Sequence, residues 1–241
     1  MITGGGTGIG RAIAAAFAGC GDVIVITGRR EEALERAARE IEGDVRPRKM
    51  DVSRPDSVEA GIQWLVKTVS PTIDVLVNNA GGILPDDELK APLDEAARLW
   101  DDQVDSNLKG SFLVTVAALP HLRRPGGRII NMSSIAAFRG GGVAYSAAKA
   151  GVVGLTYALA RELGGDGIAV NAVAPGLVLE TEFFGDRMTP QRLERTVGQT
   201  PLGRAGAPAD IAATVLHLAS DAAAFVTGQV LHVNGGWHFG G

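Results

Sequence analysis

The sequence predicts an α/β domain built as a doubly wound parallel sheet flanked by helices. Two observations carry that expectation. Five short, β-branched runs are apolar almost throughout, as strands covered on both faces should be, and between them lie longer stretches with apolar residues at helical spacing. Strands and helices that alternate along a chain pack as a parallel sheet joined by right-handed crossovers. A glycine cluster near the chain start adds a tight turn ahead of the first helix.

The first strand is the least regular of the elements. Only Met1, Ile2 and Thr3 precede Gly4, whereas a central strand needs about five residues, so this strand is expected to be truncated or the sheet weakened at its middle. IGRAIAAAF follows with Ile9, Ile13 and Phe17 at i, i+4 and i+8, a helical period. DVIVIT (Asp22 to Thr27) reads as the second strand, and EEALERAAREIE, with Leu34, Ala38 and Ile41, as the second helix. VRPRKM (Val45 to Met50) is a weaker third strand. In SRPDSVEAGIQWLV, Ser53 stands as N-cap with Asp56 three residues later, a capping-box start. The remaining strands fall at DVLVNN (Asp74 to Asn79), GRIINMS (Gly127 to Ser133), IAVNAVAP (Ile168 to Pro175) and GQVLHVN (Gly228 to Asn234). No linker, repeat or low-complexity tract interrupts them, so residues 1–241 are expected to form one domain.

Composition narrows the function classes. A chain of 241 residues can bury a substantial core, and 46% hydrophobic with 21% charged residues is ordinary globular usage. A net charge of -4 gives no reason to expect nucleic acid or an anionic membrane as partner. Cys20 stands alone, which excludes an internal disulfide and agrees with a reducing cytoplasm. No apolar run approaches the roughly 18 residues that span a bilayer, and no charged segment followed by an apolar one opens the chain. A cytoplasmic protein without membrane contact is expected. His121, His217, His232 and His238 are scattered and give no metal spacing, and no G-x-S-x-G elbow is present.

Two stretches carry chemistry. In TGGGTGIGRAIAAAF, Thr3 to Phe17, glycines let the backbone approach a ligand while the helix starting near Gly8 aims free N–H groups at whatever sits before it. A pyrophosphate suits such a site, although the spacing of Gly4, Gly8 and Gly10 is looser than G-x-G-x-x-G. In AYSAAKAG, Tyr145 and Lys149 stand four residues apart and so share a helix face. A free phenol has a pKa near 10, and a neighbouring ammonium favours its ionised form. Such a tyrosine can exchange a proton with a carbonyl or alcohol oxygen. The same spacing also supports ordinary helices, so the pair alone decides nothing. Ser133 and Ser134 close the preceding strand, where a hydroxyl can polarise a reacting oxygen or merely cap a turn.

Taken in order, T-G-x-x-x-G-x-G at Thr3 to Gly10, NNAG at Asn78 to Gly81, SNLKGSF around Asn107, NMSS at Asn131 to Ser134, Y-x-x-x-K at Tyr145 to Lys149, PG at Pro175 and NGG at Asn234 resemble the short-chain dehydrogenase/reductase family. The resemblance runs from Thr3 to Gly236. It implies a Rossmann-type fold, a nicotinamide cofactor, and hydride exchange between that cofactor and a ketone or secondary alcohol. It assigns the acid/base role to Tyr145, tuning and ribose contact to Lys149, and polarisation of the reacting oxygen to Ser134. Only ten residues separate Ser134 from Tyr145, where the family commonly has about twelve, so Ser133 stays open as the alternative. Asn107 is implied to complete a tetrad, its backbone carbonyl ordering a water beside Lys149.

The resemblance also implies cofactor contacts at Gly4, Thr7, Gly8, Ile9 and Gly10, at Asp51 and Val52 beside the adenine, and at Asn79, Ala80 and Gly81 beside the ribose. Pro175, Gly176, Val178 and Thr181 would hold the carboxamide, with Thr181 one position later than usual. Gly28 stands where an acidic residue would bind the 2'-hydroxyl, followed by Arg29 and Arg30. Arginine attracts a 2'-phosphate, so NADP is expected over NAD. Glu182 to Arg195 would form a substrate lid, with Phe183 and Phe184 suggesting an apolar substrate portion. The family's common bacterial members imply 3-oxoacyl-thioester reduction on a carrier- or CoA-linked substrate, and a homotetramer. The alternatives are an NAD-dependent dehydrogenase of another alcohol, sugar or steroid, and a non-catalytic nucleotide-binding regulator.

Overall fold

The computed structural model describes residues 1–84, 89–181, 185 and 188–240. Seven parallel strands form one sheet: β1 (Ile2–Thr3), β2 (Ile24–Gly28), β3 (Val45–Lys49), β4 (Val75–Asn78), β5 (Arg128–Met132), β6 (Ala169–Pro175) and β7 (Val230–Val233). Their spatial order is β3-β2-β1-β4-β5-β6-β7. The chain therefore reverses its winding between β1 and β4, and ligands of such sheets bind in the crevice at the strands' carboxyl ends there. The described helices are α1 (Gly8–Ala18), α2 (Glu31–Glu40), α3 (Pro55–Thr68), α4 (Leu93–Val104), α5 (Gly110–Ala118), α6 (Ala136–Arg139), α7 (Val143–Leu163), α8 (Pro190–Gly198) and α9 (Pro208–Ala219).

Both faces of the sheet are buried, which explains the continuous apolar runs. Ile26, Val77 and Ile130 pack with Ile13 and Phe17 of α1, Leu34 of α2, and Ile211 and Val215 of α9. Their strand neighbours Val25, Leu76 and Ile129 turn the other way, onto Ile62 of α3, Val114 of α5 and Leu163 of α7. Helix α7 is apolar enough that residues 143–166, at mean hydropathy 1.2, match a membrane span by length and composition, contrary to the expectation from sequence. Its buried residues, among them Ala144, Ala148, Val152, Thr156, Ala160 and Leu163, recur at helical spacing, the stripe of a core helix.

The two-residue β1 does not leave the sheet's middle weak. Ile2 pairs with both Ile26 and Val77, and side chains extend the ladder. The Thr3 hydroxyl donates to the Val77 carbonyl at 3.3 Å and accepts from the amides of Asn79 and Ala80 at 3.0 and 2.9 Å. Asn79 returns its amide to the carbonyls of Thr3 and Gly4 at 3.0 and 3.2 Å. A second buried chain of amides ties sheet to helices: Asn78 donates to Asn131 at 2.9 Å and to Thr115 of α5 at 3.0 Å, and Asn131 donates to Thr156 of α7 at 2.9 Å.

One expected cap is displaced. Ser53 is not the N-cap of α3; Arg54 holds that place without a side-chain cap, and Pro55 takes the first helical position. Proline suits that position and biases the residue before it to extended backbone, so the helix cannot start earlier. The Ser53 hydroxyl instead donates to Asp51 at 2.7 Å.

Candidate active site

At the carboxyl end of the sheet lies a cleft of about 1160 Å³. Every residue expected to contact a cofactor lines it: Gly4, Thr7, Gly8, Ile9, Gly10, Arg29, Arg30, Asp51, Val52, Asn79, Ala80, Gly81, Pro175, Gly176, Val178 and Thr181, with Ser134, Tyr145 and Lys149. Residues far apart in sequence converge because each ends a strand or begins the following helix.

The glycine cradle is built for close approach. A Cβ on Gly10 would sit 2.2 Å from the Gly4 carbonyl and 2.5 Å from the Asn79 amide, and Gly4 itself has φ +66. No larger residue fits Gly10 without moving backbone. Helix α1 begins with Thr7 as an N-cap that makes no side-chain cap bond, and its first turn carries no acidic residue. Its leading N–H groups are thus suited to an anion from outside the helix. Thr181 closes the far side, its side chain 3.3 Å from where a Gly8 Cβ would stand, and its hydroxyl lies 3.4 Å from the Val178 carbonyl. These features fit a pyrophosphate-bearing dinucleotide. At the end of β2, Gly28 leaves room, Arg29 and Arg30 are exposed beside the cleft, and Arg30 donates to the Thr7 hydroxyl at 3.2 Å.

At the other end of the cleft, Ser134 and Tyr145 stand together, the serine hydroxyl near enough to the phenol to act on its acidity. The ten-residue connection suffices because α6 coils four of its residues into a helical turn, and Gly140, at φ +80, reverses the chain into α7. The Ser134 hydroxyl also accepts from the Ala136 amide at 3.1 Å. Ser133 also lines the cleft, but its hydroxyl donates to the Lys149 carbonyl at 2.9 Å. The two serines therefore have separate tasks in the fold: one meets the phenol, the other fastens α7 to β5.

The electrostatics differ from the sequence expectation. Burial pushes the Tyr145 phenol up to about 12, opposed by the hydrogen bond with Ser134. Burial alone lowers the Lys149 ammonium to about 8. Its Nζ stands 5.7 Å from the Tyr145 ring centroid and donates to the Met132 carbonyl at 2.9 Å. In the protein by itself, then, desolvation outweighs the neighbouring charge and the phenol is a neutral donor, not a phenolate. The two side chains do share one helix face, as their spacing predicts.

Asn107 alone among the expected site residues does not line the cleft. It is fully buried within a π-helical turn, Asp105–Lys109, that joins α4 to α5. Its side-chain oxygen accepts from the Gly82 amide at 3.1 Å and its nitrogen donates to the Gly82 carbonyl at 2.9 Å. The side chain thus clamps the loop after β4. Gly81 is wedged between this amide and the ammonium: its Cβ would meet Asn107 Oδ1 at 2.4 Å and Lys149 Nζ at 3.3 Å.

Three features lay outside the sequence reading. Gln103, buried four residues before Asn107, binds the same loop, and the helical spacing to Asn107 was its only signal. Trp237 lines the cleft and receives Arg139 on its carbonyl at 2.5 Å, while its indole donates to Gln199 at 3.1 Å. His232 and His238, which flank the NGG motif, gather on Phe138 with ring centroids 4.6 and 5.2 Å from it. Of the expected lid, α8 and its N-cap Thr189 are described, whereas Glu182, Phe183, Phe184, Asp186 and Arg187 lie outside the described residues.

Comparison with known proteins places this geometry. A family model described as enoyl-(acyl carrier protein) reductase matches residues 4–238. The 3-oxoacyl-(acyl-carrier-protein) reductase FabG of Staphylococcus aureus is 42% identical over 245 residues, 99% of this chain and 97% of that one. Its namesake in Thermotoga maritima is 38% identical over 98% of this chain and 96% of that one. Among solved structures, a Brucella melitensis short-chain dehydrogenase/reductase, described as glucose/ribitol dehydrogenase, is similar at TM-score 0.90 and 35% identity, covering 99% and 95% of the two chains. A Bacillus anthracis short chain dehydrogenase is similar at TM-score 0.84 and 35% identity over the same shares. Full-length likeness in sequence and fold joins the ordered motifs in one conclusion: the chain belongs to the short-chain dehydrogenase/reductase family, NAD(P)-dependent oxidoreductases acting on CH–OH groups.

Proposed function

We propose that this protein reduces the ketone of a 3-oxoacyl thioester, using NADPH, with Tyr145 as proton donor. The observation that carries the reading is the gathering of Ser134, Tyr145 and Lys149 in the same cleft as the glycine cradle, with the ammonium 5.7 Å from the phenol ring centroid. When bound there, the nicotinamide supplies or accepts hydride. The chain's own part is to hold and protonate the substrate. A phenol kept neutral by burial donates to the carbonyl oxygen, and the Ser134 hydroxyl shares the charge that develops on it. Lys149 stabilises the phenolate left behind, and Asn107 fixes the loop against which that ammonium lies.

Cradle residues Gly4, Thr7, Gly8, Ile9 and Gly10 would hold the pyrophosphate. Asp51, Val52, Asn79 and Ala80 would line the adenosine side, and Gly81, which lies against Lys149, the nicotinamide side with Pro175, Gly176, Val178 and Thr181. Arg29 and Arg30 support the choice of NADP, since no carboxylate stands at Gly28 to repel a 2'-phosphate. A carrier-linked substrate is supported by relatives named for that activity. The whole chain acts as one domain in the cytoplasm, in a homotetramer. Exposed Trp100, Phe112, Val116 and Tyr157 on α4, α5 and α7 support assembly, and sedimentation as a monomer would contradict it.

The deciding assay offers the enzyme NADPH or NADH with a 3-oxoacyl thioester, the enoyl thioester of equal chain length and a simple ketone, and follows cofactor oxidation. Preference for the 3-oxoacyl thioester with NADPH is expected. Reduction of the enoyl thioester alone would replace the reading with the activity for which the family model is named. Turnover of simple ketones or alcohols alone would leave an oxidoreductase of another substrate class.

A further inference from the structure

Gln103 is 1% exposed in the last turn of α4, an unusual place for an uncharged amide unless its polar atoms are matched. They are matched outside its own helix. Its nitrogen donates to the Gly82 carbonyl at 2.5 Å and its oxygen accepts from the Leu84 amide at 2.8 Å. A carbonyl only accepts and an amide N–H only donates, so the side-chain orientation follows from its partners. Together with the two bonds between Asn107 and Gly82, four hydrogen bonds hold Gly82 and Leu84. Gly82, Ile83 and Leu84 line the cleft, whereas Gln103 does not. On its other side the same loop begins at Gly81, wedged against Asn107 and Lys149. The seam between α4 and the π-helical turn therefore anchors the loop.

We infer that Gln103 is a positioning residue for substrate: it fixes the Gly82–Leu84 wall of the cleft and so sets ketone affinity, without touching cofactor or the reacting atoms. This rests on the oxidoreductase reading above only for the identity of the substrate. Gln103→Leu keeps the side-chain volume and removes both bonds, leaving the Leu84 amide without this acceptor. Losing one or two net hydrogen bonds that hold the loop should raise the KM for the ketone about tenfold. The dissociation constant of the nicotinamide cofactor should stay within about twofold of wild type, less than the effect of half a hydrogen bond, and kcat should fall less than KM rises. Gln103→Glu provides the conservative test. Its ionised carboxylate can still accept from Leu84 but confronts the Gly82 carbonyl with a second acceptor. Protonation restores a donor there. The KM of Gln103→Glu should thus return toward the wild-type value as pH is lowered to about 5, while that of Gln103→Leu should not.

Amide exchange gives a readout that needs no turnover. In wild type the Leu84 N–H should be protected, and in Gln103→Leu it should exchange about tenfold faster, while amides in β4 and α7 stay unchanged. Loss of stability with unaltered KM and unaltered exchange at Leu84 would assign Gln103 to folding alone and overturn the inference. Parallel recovery of both variants at low pH would do the same. A wild-type protein that reduces no ketone refutes the proposed reaction instead, and the exchange experiment still decides whether Gln103 holds the loop.

Discussion

Replacing Lys149 by methionine should make the protein more stable while stopping turnover. The ammonium is 4% exposed, and burial brings its pKa from 10.5 to about 8. Keeping it charged below pH 8 costs the fold about 3 kcal/mol, at about 1.4 kcal/mol per pKa unit. Methionine fills nearly the same volume without charge. It also leaves the Met132 carbonyl without its 2.9 Å donor, a loss of about 1–2 kcal/mol. The net expectation is a gain of about 1–2 kcal/mol at pH 7, or roughly 2–8 °C in Tm for a domain of this size. The sign with pH follows from the direction of the shift. Between pH 8 and 10.5 the unfolded chain still binds the lysine proton after the native state has released it, so wild-type stability rises over that window. The variant has no such rise, and its advantage should vanish by pH 10.5. Tyr145, raised to about 12, acts oppositely above pH 10 in both proteins and cancels in the comparison. Thermal or urea melts at matched protein concentration, from pH 7 to 10, measure the difference. A variant less stable than wild type at pH 7, or a gap that does not narrow with pH, would refute the reasoning.

Tyr145→Phe should lower kcat by about 10²–10⁴, the usual contribution of a positioned proton donor, while cofactor binding measured by tryptophan fluorescence is retained. Unchanged turnover would remove the tyrosine from the mechanism. Ser134→Ala and Ser133→Ala should separate: the first removes the hydroxyl that acts on the phenol and lowers kcat, whereas the second loses the 2.9 Å tie to the Lys149 carbonyl and lowers Tm by the equivalent of about 1 kcal/mol. Equal effects on kcat would contradict the division seen between the two hydroxyls. Arg29→Ala should raise the KM for NADPH about tenfold with little change for NADH, the discrimination of one charge-assisted bond; equal changes would argue against a phosphate clamp.

Where the sequence repeats at the period of an element, the fold was legible before any coordinates. Ile13 and Phe17, or Ile129 and Ile130, announce their environment because burial on a helix stripe or on both faces of a sheet imposes a local pattern. Tyr145 and Lys149 were legible for the same reason. What escaped notice depends on partners some 20 to 100 residues away. The Thr3 hydroxyl that lengthens a two-residue strand needs Val77 and Ala80, and nothing near Thr3 in the chain signals them. The π-helical turn at Asn107 inserts a residue with no glycine or proline among Asp105–Lys109 to mark it. The phenol's raised pKa was missed because a sequence shows which charges are neighbours but not how much water they have lost.

Those two shifted groups bear on direction as well as on role. In the absence of a substrate the site holds a phenol that keeps its proton and an ammonium held by a carbonyl, with burial the whole cause of its lowered pKa. A buried cation in that state stabilises any negative charge that forms nearby, because low polarity strengthens the attraction as well as raising the cost of the charge. Passing the phenol's proton to a ketone oxygen creates such a charge on Tyr145, whose ring centre lies 5.7 Å from the ammonium. The interaction is therefore stronger after proton transfer than before it, which is the condition for lowering a barrier and not merely binding substrate. The resting protonation states are the ones from which carbonyl reduction starts, whereas alcohol oxidation starts from the phenolate.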